Sequence, residues 1–165
     1  MKKVGIIMGS DSDLPVVEKA ISVLENLQIP YEVHVYSAHR TPEQARDFAL
    51  NAAARGFGVL IAAAGMAAHL AGAIAAVTVL PVIGIPIESG SLRGMDALLS
   101  TVQMPGGIPV ATVAINGAAN AAYLAAEILG VEDPALRSRL SAVRQSAAEK
   151  VFEKNRKVEE KYNQD

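Results

Sequence analysis

The sequence predicts an α/β fold in which a five-stranded parallel sheet carries helices on both faces. Three observations predict it. Short apolar runs alternate with helical patterns five times along the chain, and each return to a parallel strand needs a helical crossover. The 165 residues are 51% hydrophobic but only 4% aromatic, so the core must come from Ala, Val, Ile and Leu, which suits tightly packed layers. Small polar residues gather just after the strands, where open parallel sheets bind ligands. The opposite connectors, Gln28-Ile29-Pro30 and Arg55-Gly56-Phe57, are ordinary. The length fits one domain spanning 1–165, with no repeat, low-complexity stretch or linker.

The first strand is Val4–Met8, followed by the loop Gly9-Ser10-Asp11-Ser12-Asp13. A helix from about Pro15 to Leu27 places Val17, Ala20, Ile21, Leu24 and Leu27 on one face. The alternating run Tyr31–Tyr36 is the second strand. Thr41 caps the next helix, Pro42 takes its first position, and Gln44 is placed to complete a capping box. That helix runs to about Arg55, with Ala45, Phe48, Ala49 and Ala52 inward, and Gly56 ends it. The third strand covers about Gly58–Ala63, and an all-apolar helix spans Ala67–Val77. Val82–Ile85 is the fourth strand, with a helical stretch around Asp96–Val102. Val110–Ala114 is the fifth, and Ala118–Leu129 its helix.

Two segments point beyond a lone chain. From Gly58 to Ile87 there is no Asp, Glu, Lys or Arg. The Ala/Gly content, with Pro81 and Pro86, argues for two buried strands around a helix and against a membrane span. A helix apolar all round must be covered all round, which predicts a subunit interface over Ala67–Val77. The last helix, capped by Asp133 and starting at Pro134, meets no breaker before about Asn163. At 1.5 Å per residue it would reach roughly 43 Å, overshooting a domain of this size. Leu136, Leu140, Val143, Ala147, Val151, Val158 and Tyr162 form its stripe, whose far part is expected to pack on a neighbouring subunit. Residues 134–162 carry eight Lys/Arg and four Glu, whereas 1–133 carry seven Lys/Arg and twelve Asp/Glu.

The net charge of −2 argues against nucleic-acid or anionic-membrane partners. There is no Cys, which excludes disulfides, thiolate catalysis and Cys-ligated metals. Met1-Lys2-Lys3-Val4 runs straight into a strand pattern without a visible signal peptide, so a cytoplasmic location is expected.

His39 and Arg40 lie in a short strand-to-helix turn. An imidazole titrates near neutrality and a guanidinium grips phosphate through paired hydrogen bonds, so a proton shuttle beside an anion clamp is expected. Taken alone, these residues read first as a solvated polar turn. The other strand ends tip the balance. Ser10, Asp11, Ser12 and Asp13 follow the first, Ser37 the second, and Gly65, Met66 and His69 the third. Glu88, Ser89, Gly90 and Ser91 follow the fourth, and Asn116 the fifth. Backbone N–H groups and hydroxyls of the Ser10–Asp13 loop can cradle an anion, with Arg40 completing the site. Asp11 and Asp13 would repel bare phosphate, so a phosphorylated sugar fits better. No Gly-x-Gly-x-x-Gly or Walker loop is present, and Ala64-Gly65 stands where a phospho-accepting receiver needs Asp. The three histidines lack ligand spacing, so no metal is expected. His34 alternates within a strand and reads as structural. His69, on an apolar helix, reads first as a satisfied buried histidine, with a binding role left open.

With these residues in view, the chain resembles the PurE family, the N5-carboxyaminoimidazole ribonucleotide mutases of purine biosynthesis. The matching stretches are Met8-Gly9-Ser10-Asp11-Ser12-Asp13, Ser37-Ala38-His39-Arg40-Thr41-Pro42, Ala67-Ala68-His69-Leu70, and Asp96 through Gln103-Met104-Pro105-Gly106-Gly107-Ile108-Pro109-Val110. The resemblance runs from about Val4 to Gly130. It implies a flavodoxin-like three-layer αβα sandwich, assembled as a homo-octamer with the last helix exchanged between subunits, and a reaction without cofactors. It implies His39 as general acid/base, with Ser10, Asp13 and Arg40 holding the ribose phosphate of an imidazole ribonucleotide. Ser12, Ser37, Gly65, Ala67 and His69 would line the same pocket, Ala67 and Ala68 as small apolar walls that retain carbon dioxide. The family's Gly-Gly-Ala-Ala-His-Leu-Pro-Gly-Met reads here Gly65-Met66-Ala67-Ala68-His69-Leu70-Ala71-Gly72-Ala73. A glycine needed there for positive φ would leave Met66 strained. A branch that carboxylates aminoimidazole ribonucleotide directly carries Lys after the histidine and lacks Ala-Ala-His-Leu, so Arg40 and Ala67–Leu70 favour the mutase. A noncatalytic nucleotide-binding homologue is the third possibility.

Overall fold

The computed structural model describes residues 1–163. Five strands, β1 (Lys3–Met8), β2 (Tyr31–Val35), β3 (Phe57–Gly65), β4 (Val82–Ile87) and β5 (Ala111–Thr112), form one parallel sheet in the order β2-β1-β3-β4-β5. Six α-helices accompany them: α1 (Leu14–Asn26), α2 (Pro42–Asn51), α3 (Leu70–Ala75), α4 (Met95–Val102), α5 (Ala118–Gly130) and α6 (Pro134–Tyr162). This is the flavodoxin-like order, whose direction reverses between β1 and β3.

Strand periodicity divides the core in two. Val4, Ile6 and Met8 of β1 and Val59, Ile61 and Ala63 of β3 pack under α1 and α5. Ile7, Leu60 and Ala62 point the other way, against Phe48 of α2 and Leu70 and Ile74 of α3. Alanine lets the layers close up: Ala118, Ala121, Ala122, Ala125 and Ala126 of α5 are all fully buried. Such two-sided burial is why the central strands read as continuous apolar runs.

Several boundaries differ from the sequence reading. β3 extends through Gly65 and β4 through Ile87, which carries the sheet closer to the ligand rim. β5 is found over two residues only, Ala111 and Thr112, paired with β4. α2 closes at Asn51, and a loose turn follows. Phe57 N donates to Ala52 O and Gly56 N to Ala53 O, with Gly56 at φ 83°, a Schellman ending that the glycine makes possible. The capping box at Thr41 does not form. Thr41 Oγ1 instead accepts from Ser37 N at 2.8 Å, so the hydroxyl closes the preceding turn.

The largest departure is α3, expected over Ala67–Val77 and found over Leu70–Ala75. Met66 sits at φ 55°, and Ala68 N→Met66 O and His69 N→Ala67 O, both 2.9 Å, hold residues 66–69 in tight non-helical turns. Ala67 and His69 therefore lie on a loop. The helix buries Leu70, Ala71, Ile74 and Ala75, while Ala73 and Ala76 are exposed. His34 is structural, stacked on Tyr36 with ring centroids 5.1 Å apart and 3.4 Å from Glu32.

A left-handed backbone costs a side chain bearing Cβ roughly 1 kcal/mol or more. Met66 is 62% exposed, so its side chain returns little burial energy. Met66→Gly is therefore expected to raise stability by about 1 kcal/mol, read as a higher midpoint in chemical denaturation. An unchanged or lower midpoint would show that the Met66 side chain holds the loop by other contacts.

Of α6, Leu136 and Leu140 are buried and Val143 packs on the core, but every residue from 144 to 163 is exposed. Val151, Phe152, Val158 and Tyr162 are each more than half exposed. No helix among the described residues is long and apolar enough to cross a membrane.

Candidate active site

A cavity of about 420 Å³ opens beyond the carboxyl ends of β1, β2 and β3, at the point where the strand order reverses. The nine residues that the resemblance assigns to the pocket all line it, Ser10, Ser12, Asp13, Ser37, His39, Arg40, Gly65, Ala67 and His69, whereas Asp11 does not. Ala68 is buried behind the wall. The fifth loop was expected at the rim and does not reach the cavity. Asn116, at φ 57°, bonds Glu88 instead, through Glu88 N→Asn116 Oδ1 at 2.9 Å and Asn116 Nδ2→Glu88 Oε2 at 3.2 Å. From the fourth loop Ser89 contributes, while Glu88 stays outside.

The first wall is a short 3-10 turn over Asp11–Asp13. Ser10 Oγ caps it, accepting from Ser12 N at 3.3 Å and from the Ser12 hydroxyl at 2.8 Å. Asp13 is buried, which pushes its carboxyl above the ordinary range. A hydrogen bond from the Ser10 backbone opposes that, and nearby Asp11 adds to it. The folded chain then holds that proton more tightly than the unfolded chain. The stability is complete below the ordinary carboxylate range and is lost as pH rises through the raised value. Asp13→Asn is expected to be more stable than the parent at about pH 7, with the gain absent at about pH 3. Thermal melts at both pH values check it; equal melting temperatures at pH 7 would mean that burying the charge costs nothing.

The second wall is the His39 turn. Ser37 Oγ accepts from His39 N at 3.3 Å and Arg40 N at 3.2 Å, and Thr41 N donates to Ser37 O at 2.9 Å. One hydroxyl thus fixes the backbone under both functional side chains, which stay exposed. On the third loop, Ser100 Oγ of α4 accepts from Ala68 N at 3.1 Å and lies 3.5 Å from Met66 O. His69 Nδ1 comes within 2.9 Å of His39 Nε2, the rings meeting edge to face.

Ser100 escaped the sequence reading of the site, and Ser89 was placed on the rim without a role there. Ser89 stood in a polar loop without a distinguishing neighbour, yet its Oγ is buried without a partner among the described residues. It lies where a Cβ on Gly65 would come within 2.6 Å. Ser100 bonds a residue 32 positions away, which no local pattern reveals. No group of three or more His, Asp or Glu among the described residues converges as metal ligands.

The arrangement brings hydroxyls, a guanidinium, two imidazoles and small apolar side chains around one cavity. A family model described as AIR carboxylase matches residues 3–150. This chain belongs to the AIR carboxylase (PurE) family. It is 57% identical over 157 residues to the N5-carboxyaminoimidazole ribonucleotide mutase of Pyrococcus horikoshii, covering 95% of this chain and 89% of the relative. It is 51% identical over 160 residues to the mutase of Thermotoga maritima, covering 97% and 94%. The crystal structure of Treponema denticola PurE superposes with a TM-score of 0.85 at 32% identity, covering 93% of this chain and 96% of that one. The family match spans both His39 and the 65–70 loop, the two segments that meet over the cavity.

Proposed function

We propose that this protein is an N5-carboxyaminoimidazole ribonucleotide mutase. It moves the carboxylate of N5-carboxyaminoimidazole ribonucleotide from the exocyclic nitrogen to the ring carbon, giving 4-carboxy-5-aminoimidazole ribonucleotide for purine synthesis. The observation that carries it is the meeting of the His39-Arg40 turn with the Ser10–Asp13 loop and the 65–69 loop around one cavity. Arg40 and the Ser10 hydroxyl take the phosphate, and Asp13 accepts from ribose hydroxyls. Ser12 and Ser37 line the sugar end, while Gly65, Ala67 and His69 surround the ring.

The chemistry needs one proton moved twice. As the nitrogen–carboxylate bond breaks, carbon dioxide leaves and the nitrogen takes a proton from His39. The ring carbon then attacks carbon dioxide, and His39 recovers the proton that this carbon loses. Both products of the first step must stay in place, which small apolar walls allow. The exposed stripe of α6 supports a homo-octamer with exchanged last helices, and a metabolic role supports a cytoplasmic location.

A second reading, direct carboxylation of aminoimidazole ribonucleotide, is favoured by the family's description as AIR carboxylase. Two assays separate them. With the carbamate substrate and no added bicarbonate, the mutase forms the carboxylated product rapidly. If product formed efficiently from aminoimidazole ribonucleotide and bicarbonate alone, the direct carboxylase reading would replace it.

A further inference from the structure

The contact between His39 and His69 does more than close the cavity. Two imidazole nitrogens 2.9 Å apart must share one hydrogen: two lone pairs would repel, and so would two N–H groups. His39 Nε2 is therefore engaged, and Nδ1 is its one ring nitrogen without a partner among the described residues. Both rings are placed by their backbones. His39 N is tied to Ser37 Oγ, and the His69 turn is tied to α4 through Ala68 N and Ser100 Oγ.

We infer that His69 is a positioning residue for His39: its Nδ1 accepts from His39 Nε2–H, reserving His39 Nδ1 to give and take the proton of the reaction. This rests on the mutase reading and deepens it. In the charged state His39 carries both N–H groups, one pointing at His69 and one at the substrate. It gives the Nδ1 proton to the exocyclic nitrogen as carbon dioxide departs, and becomes neutral with Nε2–H still held. The bare Nδ1 then takes the proton from the ring carbon as the new carbon–carbon bond forms, and the charged state returns. His69 keeps Nε2–H throughout and gains no charge. Without it, neutral His39 would divide between two tautomers, one of which presents no base at Nδ1.

The other charged groups lining the cavity are Asp13 of the first loop and Arg40 of the same turn, and neither hydrogen-bonds either ring. Among the described residues no carboxylate hydrogen-bonds either ring, so the orienting work that an acidic partner does in other acid–base sites falls to His69.

Nitrogen-detected NMR of the free protein reads the tautomers directly, and three histidines make assignment by substitution simple. In the parent, neutral His39 is expected to carry its hydrogen on Nε2. In His69→Ala that signal should give way to a mixture, kcat should fall about 10- to 100-fold with little change in KM, and the acid limb of the kcat–pH profile should move. His69→Asn offers an amide oxygen in place of Nδ1 and should restore most of both. Two results overturn the inference: parent His39 carrying its hydrogen on Nδ1, or His69→Ala matching the parent in kcat and pH profile. Failure of the mutase reading looks different, since the parent would then convert no substrate while the tautomer measurement still stands.

Discussion

Replacing His39 by Asn is expected to lower kcat by about 10²–10⁴-fold while KM and ribonucleotide binding stay close to the parent values. The split follows from the geometry. His39 N and Arg40 N hang from Ser37 Oγ, so the turn keeps its shape when the ring is exchanged for an amide. The groups proposed for phosphate and ribose, Ser10, Asp13 and Arg40, keep their places. Asn cannot give up or accept a proton near neutral pH, so both halves of the reaction lose their acid and base together. Steady-state kinetics and calorimetric binding of product measure the two effects separately. A variant within threefold of the parent rate would remove His39 from the chemistry.

Ending the chain after Arg144 is expected to leave a folded protein that forms only a smaller assembly. The anchoring part of α6 remains: Leu136 and Leu140 are buried, Asp133 caps the helix through Leu136 N at 2.9 Å, and Arg139 Nε donates to Leu27 O at 2.8 Å. Among the described residues, everything lost beyond Arg144 is exposed in the single chain. Val151, Phe152, Val158 and Tyr162 are each more than half exposed, and burying such side chains is worth about 1.5–3 kcal/mol apiece. A second apolar stripe on and before α4, Leu92, Met95, Leu99 and Val102, is also open and can hold a smaller assembly together. Light scattering should give eight times the 17.2 kDa chain mass for the full protein and a smaller multiple for the shortened one. Equal masses would place the interface elsewhere.

The parts of this fold legible in the sequence are those whose causes are local. The loops after β1 and β2 announce themselves because turn residues follow apolar runs, so Ser10–Asp13 and Ser37–Arg40 could be assigned to one rim. The start of α3 could not be read. The run Ala67–Val77 is rich in helix-forming alanine, but the left-handed Met66 and the Ser100 hydroxyl, supplied from far along the chain, hold its first turn open. Thr41 misled for a similar reason, since its hydroxyl had a nearer claimant in Ser37 N. Asn116 was assigned to the rim by its position after β5, yet it turns to Glu88, a pairing across 28 residues. Met66 is the instructive exception. Its left-handed backbone was foreseeable from the glycine that the resemblance leads one to expect there, and Met66 does adopt φ 55°.

The most direct test follows the migrating carbon. The carbamate carbon of N5-carboxyaminoimidazole ribonucleotide would be labelled with carbon-13 and turned over in excess unlabelled bicarbonate. Rapid product formation with most of the label on the ring carboxylate is the predicted result, because carbon dioxide released beside His39 as proposed would stay against Ala67 until it is recaptured. Unlabelled carboxylate in the product, or no product at all, would contradict the account.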